Sequence, residues 1–293
     1  MKRIVLYIAL FLGLFILCQS CEDGFIPTDK DELIVEGWID DGGFPVVIIT
    51  RSLPVRLKED KVKVSQISDY IEKLAKVTVS DGENDVTLTG KVNKDYFPPY
   101  IYTTSSIRGQ AGKSYTLTIR SRGKVLTSTT TIPEYGPVMD SVVCKSLENN
   151  DTLCSVILYL SNVADRKEYF KAFFQDGPAL GQFRSTYMGV VDDAIADTTI
   201  KLPLFKTIRD DFKEDKRRNF DRDSLLSIKV ATMDSVSYSF WKEFSNSTIS
   251  SYSNYLMSSS TGNLPTNVSG GIGYWCGYNS RIFTFTVTPG TYR

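Results

Sequence analysis

The sequence predicts a mainly β protein, with an immunoglobulin-like or fibronectin-like β-sandwich over residues 32–134 and a second β-rich domain over residues 135–293. Short runs of β-branched and aromatic residues recur from residue 33 onward, which is typical of strands. Clusters of Gly, Asp and Asn separate these runs as turns would. One segment, 234–244, has helical spacing, so we expect a single short amphipathic helix in the second domain.

The first domain contains six candidate strands in about 100 residues, as expected for a sandwich. They are residues 33–39, 45–50, 77–80, 86–89, 114–121 and 125–131. The Pro- and Gly-containing segment 132–137 interrupts this pattern and indicates a domain boundary after residue 134.

The second domain begins with a hairpin over residues 142–157 and continues with candidate strands 169–174 and 225–231. In segment 234–244, Val236, Phe240, Trp241 and Phe244 fall on one face of a helix that Asp234 or Ser235 would cap. We expect this apolar face to pack on a sheet rather than to bind a ligand.

Two cysteines flank the turn of the predicted hairpin. If Leu147 faces Asp151 across a three-residue turn, Cys144 lies opposite Cys154, and a cross-strand disulfide would contribute about 2–3 kcal/mol. The alternative is two free thiols. Cys276 is expected to be a small buried residue.

Residues 1–20 have the pattern of a cleaved signal peptide. Lys2 and Arg3 precede an apolar run of 14 residues, 4–17, which is shorter than the about 20 residues needed to cross a bilayer. The end of this run resembles a bacterial lipoprotein signal, in which Cys21 would carry the lipid and become the mature N-terminus. An ordinary secretory signal that ends near a cysteine is the alternative.

The resemblance implies a membrane anchor at Cys21, because two or more acyl chains hold a protein almost permanently on a bilayer. Residues 21–31 would be the tether. Glu22 and Asp23 resemble the acidic export signal of Bacteroidetes lipoproteins that reach the cell surface, although a solvated linker would have the same composition. We therefore expect an outer-membrane lipoprotein that faces the cell surface.

Composition excludes several functional classes. Lys and Arg total 34, as do Asp and Glu, and loss of Lys2 and Arg3 with the signal leaves a net charge of −2, which argues against nucleic-acid binding. The chain has no histidine, which removes Ser-His-Asp catalysis and His-bearing zinc sites. With no nucleotide-binding or nucleophile motif, we expect no catalytic residue, metal or cofactor. The acidic run 81–85 is expected to be a hairpin turn rather than a calcium site.

Two aromatic clusters are the candidate contacts for a ligand or partner. One contains Tyr96, Phe97 and Tyr100, and the other contains Tyr274, Trp275 and Tyr278. Rings on loops provide stacking faces and polar tips for binding. In a β-sandwich, the same rings could instead close the ends of the core.

Five Asp-Ser or Asp-Thr pairs precede Val, Leu or Thr, and they resemble the O-glycosylation acceptors of Bacteroidetes envelope proteins. The acceptor hydroxyls would belong to Ser141, Thr152, Thr198, Ser224 and Ser235. Such pairs also cap helices and begin turns.

Segments 33–39, 77–82, 112–117, 131–133 and 263–274 together resemble the Bacteroidetes lipoproteins grouped as domain of unknown function 4249. Tyr274 stands where that family commonly has Phe. Gly270, Gly271 and Gly273 in the last segment predict a tight structural loop with positive φ and close backbone approach.

The family resemblance implies an envelope protein often encoded beside TonB-dependent outer-membrane receptors. We therefore expect a non-enzymatic binding or accessory module for a TonB-dependent transporter in nutrient uptake. A fimbrillin-like structural or adhesion lipoprotein, whose sandwiches exchange strands, is one alternative. A carboxylate-based glycan-degrading enzyme is the other.

Overall fold

Strands dominate the part of the chain that the structure, a computed structural model, describes: residues 32–52, 68–148, 150–162, 166–177, 182–192, 198–206, 218–253 and 266–293. The mainly β prediction is thus confirmed. The signal peptide, Cys21 and the tether lie outside these residues. The strands are β1 (Leu33–Asp40), β2 (Val46–Arg51), β3 (Lys76–Ser80), β4 (Asp85–Val92), β5 (Tyr100–Thr103), β6 (Ser114–Ser121), β7 (Lys124–Thr131), β8 (Met139–Leu147), β9 (Asn150–Ser161), β10 (Tyr169–Asp176), β11 (Arg184–Asp192), β12 (Thr199–Leu204), β13 (Phe220–Asp221), β14 (Leu225–Met233), β15 (Ile272–Thr286) and β16 (Gly290–Tyr292), and the helix is α1 (Ser235–Ser253).

A long sheet has the strand order β11-β10-β14-β15-β1-β2-β5-β4-β3-β6-β7, and a smaller sheet has the order β12-β9-β8-β16, with β13 also pairing to β9. Alternation of buried and partly exposed residues along β1 follows the period of two that a pleated strand imposes. The inward residues of β1, β2, β3, β6 and β7 share one hydrophobic core.

Strand β15 connects the two halves of the molecule. Its first part pairs in parallel with β1, with Glu36 opposite Tyr274 and Asp40 opposite Tyr278. Its second part pairs antiparallel with β14, from Tyr278 to Thr286. The long sheet therefore crosses the boundary predicted at residue 134, and the separate folding of residues 32–134 stays a prediction.

The C-terminal half has three layers. The smaller sheet packs on one face of β10 and β14, around a core that includes Leu158, Phe174 and Ile228. Helix α1 packs on the other face through Phe240 and Trp241. Because β10 and β14 are covered on both faces, they are almost continuously buried rather than alternating.

Helix α1 was predicted in the right place, but its buried face is different. The Asp234 carboxylate accepts a hydrogen bond from the Ser237 backbone N–H at 2.7 Å, so Asp234 is the N-cap. Phe240 and Trp241 are buried as expected, but Val236 and Phe244 are 51% and 40% exposed. The buried face instead includes two serines, Ser237 and Ser245. The Ser245 hydroxyl donates to the Trp241 carbonyl, which satisfies it without an external partner.

The predicted disulfide is absent. Cys144 and Cys154 are both free and buried, and the predicted register is wrong, because Cys144 pairs with Val156 while Cys154 pairs with Ser146. The pairing shifts between Ser146 and Leu147 at the end of the hairpin. Diagonal positions on one sheet face are about 7–8 Å apart between Cα atoms, which exceeds the usual disulfide span of about 4.4–6.8 Å.

The glycine-rich segment has the positive φ and the close backbone approach that were predicted, although Gly273 lies inside β15 and not in a loop before it. Gly270 and Gly273 have φ of 82° and 118°. A Cβ on Gly273 would lie 1.9 Å from the Val35 carbonyl oxygen, which only an absent side chain allows. The segment therefore lets β15 begin directly beside β1.

Candidate ligand-binding groove

Two adjoining cavities, of about 580 and 410 Å³, lie beside α1 on the face of the long sheet that α1 covers. They share Phe173, Gln182, Phe183 and Tyr274 as lining residues, so they form one continuous depression. We call it the aromatic groove, because ten rings line it: Trp38, Tyr96, Phe97, Phe173, Phe183, Phe240, Trp241, Phe244, Tyr274 and Tyr278. Its size is that of many small-molecule sites.

Strands β1 and β15 form the floor of the groove. Side chains at register partners in a parallel pair lie on the same face, and every second residue shares that face. This pattern brings Glu36 beside Tyr274 and Asp40 beside Tyr278. Helix α1 forms one wall of the smaller cavity with Phe240, Trp241 and Phe244, and residues 182–185 with Phe97 form the opposite wall.

Four of the six aromatic residues singled out in the sequence meet in this groove. Tyr96 and Tyr278 line the larger cavity, Phe97 lines the smaller one, and Tyr274 lines both. Their role in binding stays a prediction, but the chain does bring two clusters that are 180 positions apart to one place.

The other two aromatic residues lie elsewhere. Trp275 is fully buried in the N-terminal core, and its indole N–H donates to the Tyr115 carbonyl at 2.9 Å. It points away from the groove because its neighbour Tyr274 faces the groove and strand residues alternate. Tyr100 packs edge-on against Tyr102, at a centroid distance of 5.5 Å, beside the same N-terminal core.

The rings that α1, β10 and the segment before β11 contribute to the groove were not predicted as binding residues. Phe240 and Trp241 were assigned to the core alone, and Phe173 and Phe183 were not singled out. Phe244 is the residue that indicates the wall formed by α1. Phe97 and Phe244 are the two exposed phenylalanines among the described residues. Exposed rings at the edge of an apolar depression are typical of binding surfaces.

Hydrogen bonds hold the walls in place. The Trp241 indole N–H donates to the Tyr278 hydroxyl at 2.9 Å, which joins α1 to the floor. On the opposite side, the Gln182 backbone N–H donates to the Asp95 carbonyl at 2.8 Å, and the Phe97 N–H donates to the Gln182 side-chain oxygen at 3.2 Å. These bonds connect α1 to the floor and connect Phe97 to the segment before β11.

The polar groups of the larger cavity pair with each other. The Lys229 ammonium lies 2.6 Å from an Asp40 carboxylate oxygen, and the Ser280 hydroxyl donates to the same carboxylate at 2.9 Å. Lys229 also lies over the Tyr278 ring, 5.1 Å from its centroid. The charge of Asp40 is thus balanced inside the protein.

The smaller cavity has polar groups that lack such partners. The Glu36 carboxylate and the Tyr274 hydroxyl both line it, and neither forms a hydrogen bond with another described residue. Burial raises the pKa of Glu36. Burial, together with the charge of Glu36, raises the pKa of Tyr274 well above its usual value. Arg184, at the edge of this cavity, is paired with Asp176.

A buried lysine lies behind the helix wall. Lys171 on β10 is 1% exposed, donates to the Thr186 carbonyl at 3.0 Å and lies 4.8 Å from the Trp241 ring centroid. Desolvation lowers the pKa of Lys171 to about 7. It is not a lining residue of the groove.

Other predicted features have clear positions in the structure. Within the described ranges, no group of three or more His, Cys, Asp or Glu side chains could hold a metal ion. The Asp81 carboxylate accepts the backbone N–H groups of Glu83 and Asn84, as in a hairpin turn. Among the residues that the structure describes, no helix is long and apolar enough to cross a membrane.

The candidate glycosylation acceptors differ in accessibility. Thr152, Thr198 and Ser235 are exposed, whereas Ser141 and Ser224 are partly buried. The Ser224 hydroxyl donates to the Asp221 carbonyl at 2.6 Å, as a turn residue would. Modification at any of the five stays a prediction.

Comparison with known proteins identifies the family of this chain. None of the curated proteins matches the chain. The family model described as domain of unknown function (DUF4249) matches residues 22–282, nearly the whole sequence, and the chain therefore belongs to this family.

Proposed function

We propose that the protein is a lipid-anchored binding module of the bacterial outer membrane, and that the aromatic groove holds an apolar small molecule. The observation that carries this proposal is the continuous groove of ten rings, with Phe97 and Phe244 exposed at its edges at 54% and 40%. Covering exposed apolar surface of this kind with a ligand is favourable by roughly 25 cal/mol per Å².

The position of the acidic groups supports binding rather than glycoside hydrolysis. Glu36 and Asp40 both line the groove, but four residues along one strand place their Cα atoms about 13 Å apart. Glycosidase carboxyl pairs are about 5–9.5 Å apart, so Glu36 and Asp40 would reach this spacing only if their side chains leaned toward each other along the strand. Asp40 is already paired with Lys229.

A neutral apolar fluorophore, N-phenylnaphthylamine, tests the groove directly. We expect saturable binding with enhanced fluorescence, and about fivefold weaker affinity for each of the variants Phe97→Ala and Phe244→Ala, because each removes part of a buried ring contact. Leu74→Ala, at a side chain that is 91% exposed and outside the groove, is the matched control. Equal affinity of the wild-type protein and the three variants would show that the fluorophore does not bind in the groove.

The lipid anchor is supported by the signal-like residues 1–20 and by Cys21. Fractionation of cells that express Cys21→Ser should move the protein from the membrane to the soluble envelope fraction, while Cys18→Ser should leave it on the membrane. Equal membrane retention of both variants would contradict attachment at Cys21.

A role beside a TonB-dependent transporter is supported by the family resemblance, and an anchored binding module would hold its ligand at high effective concentration over a receptor. Affinity purification of the native protein in mild detergent should recover an outer-membrane receptor. Recovery of the protein alone, with and without cross-linking, would contradict this part of the proposal.

A further inference from the structure

We propose that the natural occupant of the groove is an amphipathic organic cation, in which an ammonium group binds at Glu36 and an apolar body lies against the aromatic walls. This inference rests on the proposed binding function and names the chemical class of its ligand.

Glu36 is a carboxylate whose surroundings do not stabilise its charge. It lies among Ile34, Ile272 and Tyr274 on the floor of the smaller cavity and has no hydrogen bond or ion pair with a described residue. Burying a charged group without a partner costs several kcal/mol, so such groups are normally paired. A ligand cation in the cavity would supply the missing partner, since Glu36 is one of the residues that line it.

The positively charged residues near Glu36 are not paired with it. Arg184, which lines the same cavity, is paired with Asp176. Lys229, in the larger cavity, is paired with Asp40. Lys171 lies behind Trp241, outside the groove lining, and its lowered pKa of about 7 reduces its charge at neutral pH. The smaller cavity therefore favours a cation over an anion.

The rings around Glu36 fit the same chemistry. Tyr274, which is its register partner on β15, lies 5.0 Å from both Phe240 and Trp241, measured between ring centroids. These three rings line the same cavity as Glu36, and aromatic rings attract an ammonium group through their quadrupoles. The Tyr274 hydroxyl, which forms no hydrogen bond with a described residue, is a further acceptor on a residue that lines this cavity.

The rest of the smaller cavity fits an apolar body. Phe97, Phe244 and Ile34 also line it, and its volume of about 410 Å³ accommodates a small organic molecule. A bare metal ion would leave these apolar walls in contact with water, so the cation should carry its own apolar group.

Three probes of one shape test the charge preference: phenylbutylamine, phenylbutanol and phenylbutanoate, titrated by displacement of N-phenylnaphthylamine. We expect the amine to bind at least about tenfold more tightly than the alcohol, and the carboxylate to bind most weakly. In Glu36→Gln the preference of the amine over the alcohol should disappear, because the side-chain shape remains and the charge is lost. Glu83→Gln, at an exposed turn residue, is the matched control and should keep the full preference.

Fluorophore binding and thermal unfolding of Glu36→Gln show whether the variant is folded with an intact groove. Equal affinity for amine and alcohol in the wild-type protein, with normal fluorophore binding, would overturn the cation inference and leave the binding function standing. A preference that persists in Glu36→Gln would overturn the role of Glu36. Failure of the fluorophore to bind the wild-type protein would overturn both proposals.

Discussion

Asp234 joins helix α1 to Thr130 on strand β7. One carboxylate oxygen caps the helix at Ser237, and the other accepts hydrogen bonds from the Thr130 hydroxyl and the Thr131 backbone N–H, both at 2.8 Å. The Thr130 hydroxyl in turn accepts from the Gly277 N–H of β15 at 2.8 Å. This arrangement fixes the groove wall to both halves of the long sheet.

Replacing Thr130 by Val should therefore destabilise the protein by about 2–3 kcal/mol, because it leaves the buried Gly277 N–H without its acceptor and removes one of the two hydrogen bonds to the same Asp234 oxygen. Urea unfolding followed by tryptophan fluorescence measures this. Thr127→Val, at an exposed position of the same strand, is the matched control and should change stability little. Equal effects of the two substitutions would show that the Asp234–Thr130 link contributes nothing.

Gly273 should tolerate no side chain. Gly273→Ala places a Cβ against the Val35 carbonyl oxygen and also forces alanine to a φ of 118°. Gly82→Ala is the control for backbone strain alone, because Gly82 has a φ of 91° and nothing within 4 Å of the added atom.

We expect Gly82→Ala to cost about 1–2 kcal/mol and Gly273→Ala to cost clearly more, since β1 and β15 must move apart. Comparison of the two free energies of unfolding separates the steric effect from the conformational one. Similar costs for both variants would mean that β1 and β15 adjust without loss of pairing.

The cysteines should be free and unreactive in the folded protein. Burial raises the pKa of Cys144 and of Cys276 to about 12, so little thiolate is present at neutral pH. A thiol reagent should modify Cys144, Cys154 and Cys276 only after denaturation. A peptide that contains Cys144 linked to Cys154, found by mass spectrometry of an unreduced digest, would contradict the observed register.

Local patterns were sufficient for much of the fold. Strand β6 was predicted with its observed bounds, and β1 and β7 within one residue, because their alternation depends on residues two positions apart. The N-cap at Asp234 was also visible, since capping involves a residue three positions away.

Long-range pairing was not predictable in this way. The parallel pairing of β1 with β15 joins residues more than 230 positions apart, and it is this pairing that places Glu36 beside Tyr274. The sequence shows two aromatic clusters, but it does not show that helix α1 packs on the sheet beside them and lines the same cavity. The register of the β8–β9 hairpin was also predicted wrongly. One irregular pairing near Leu147 changes which residue lies opposite Cys144.

The buried Lys171, behind the wall that α1 forms, should make the free energy of unfolding depend on pH. In the folded protein the pKa of Lys171 is about 7, whereas an unfolded lysine has a pKa of about 10.4. Between these values the unfolded chain binds more protons than the folded one, so the contribution of Lys171 to stability rises with pH. Below about pH 7 the charged ammonium is buried at its full desolvation cost.

Lys171→Met should therefore stabilise the protein most at and below about pH 7, by roughly 1–4 kcal/mol, as when other buried charges are replaced by apolar groups. The difference between variant and wild type should shrink as pH rises toward about 10, because the wild-type lysine becomes neutral in the fold. Taking the difference at each pH cancels the ionisation of the buried tyrosines and cysteines, which both proteins share. Lys145→Met, at an exposed position on β8, should give no such pH dependence. If Lys171→Met were less stable at every pH, the hydrogen bond from Lys171 to the Thr186 carbonyl and its contact with the Trp241 ring would outweigh the cost of burying the charge.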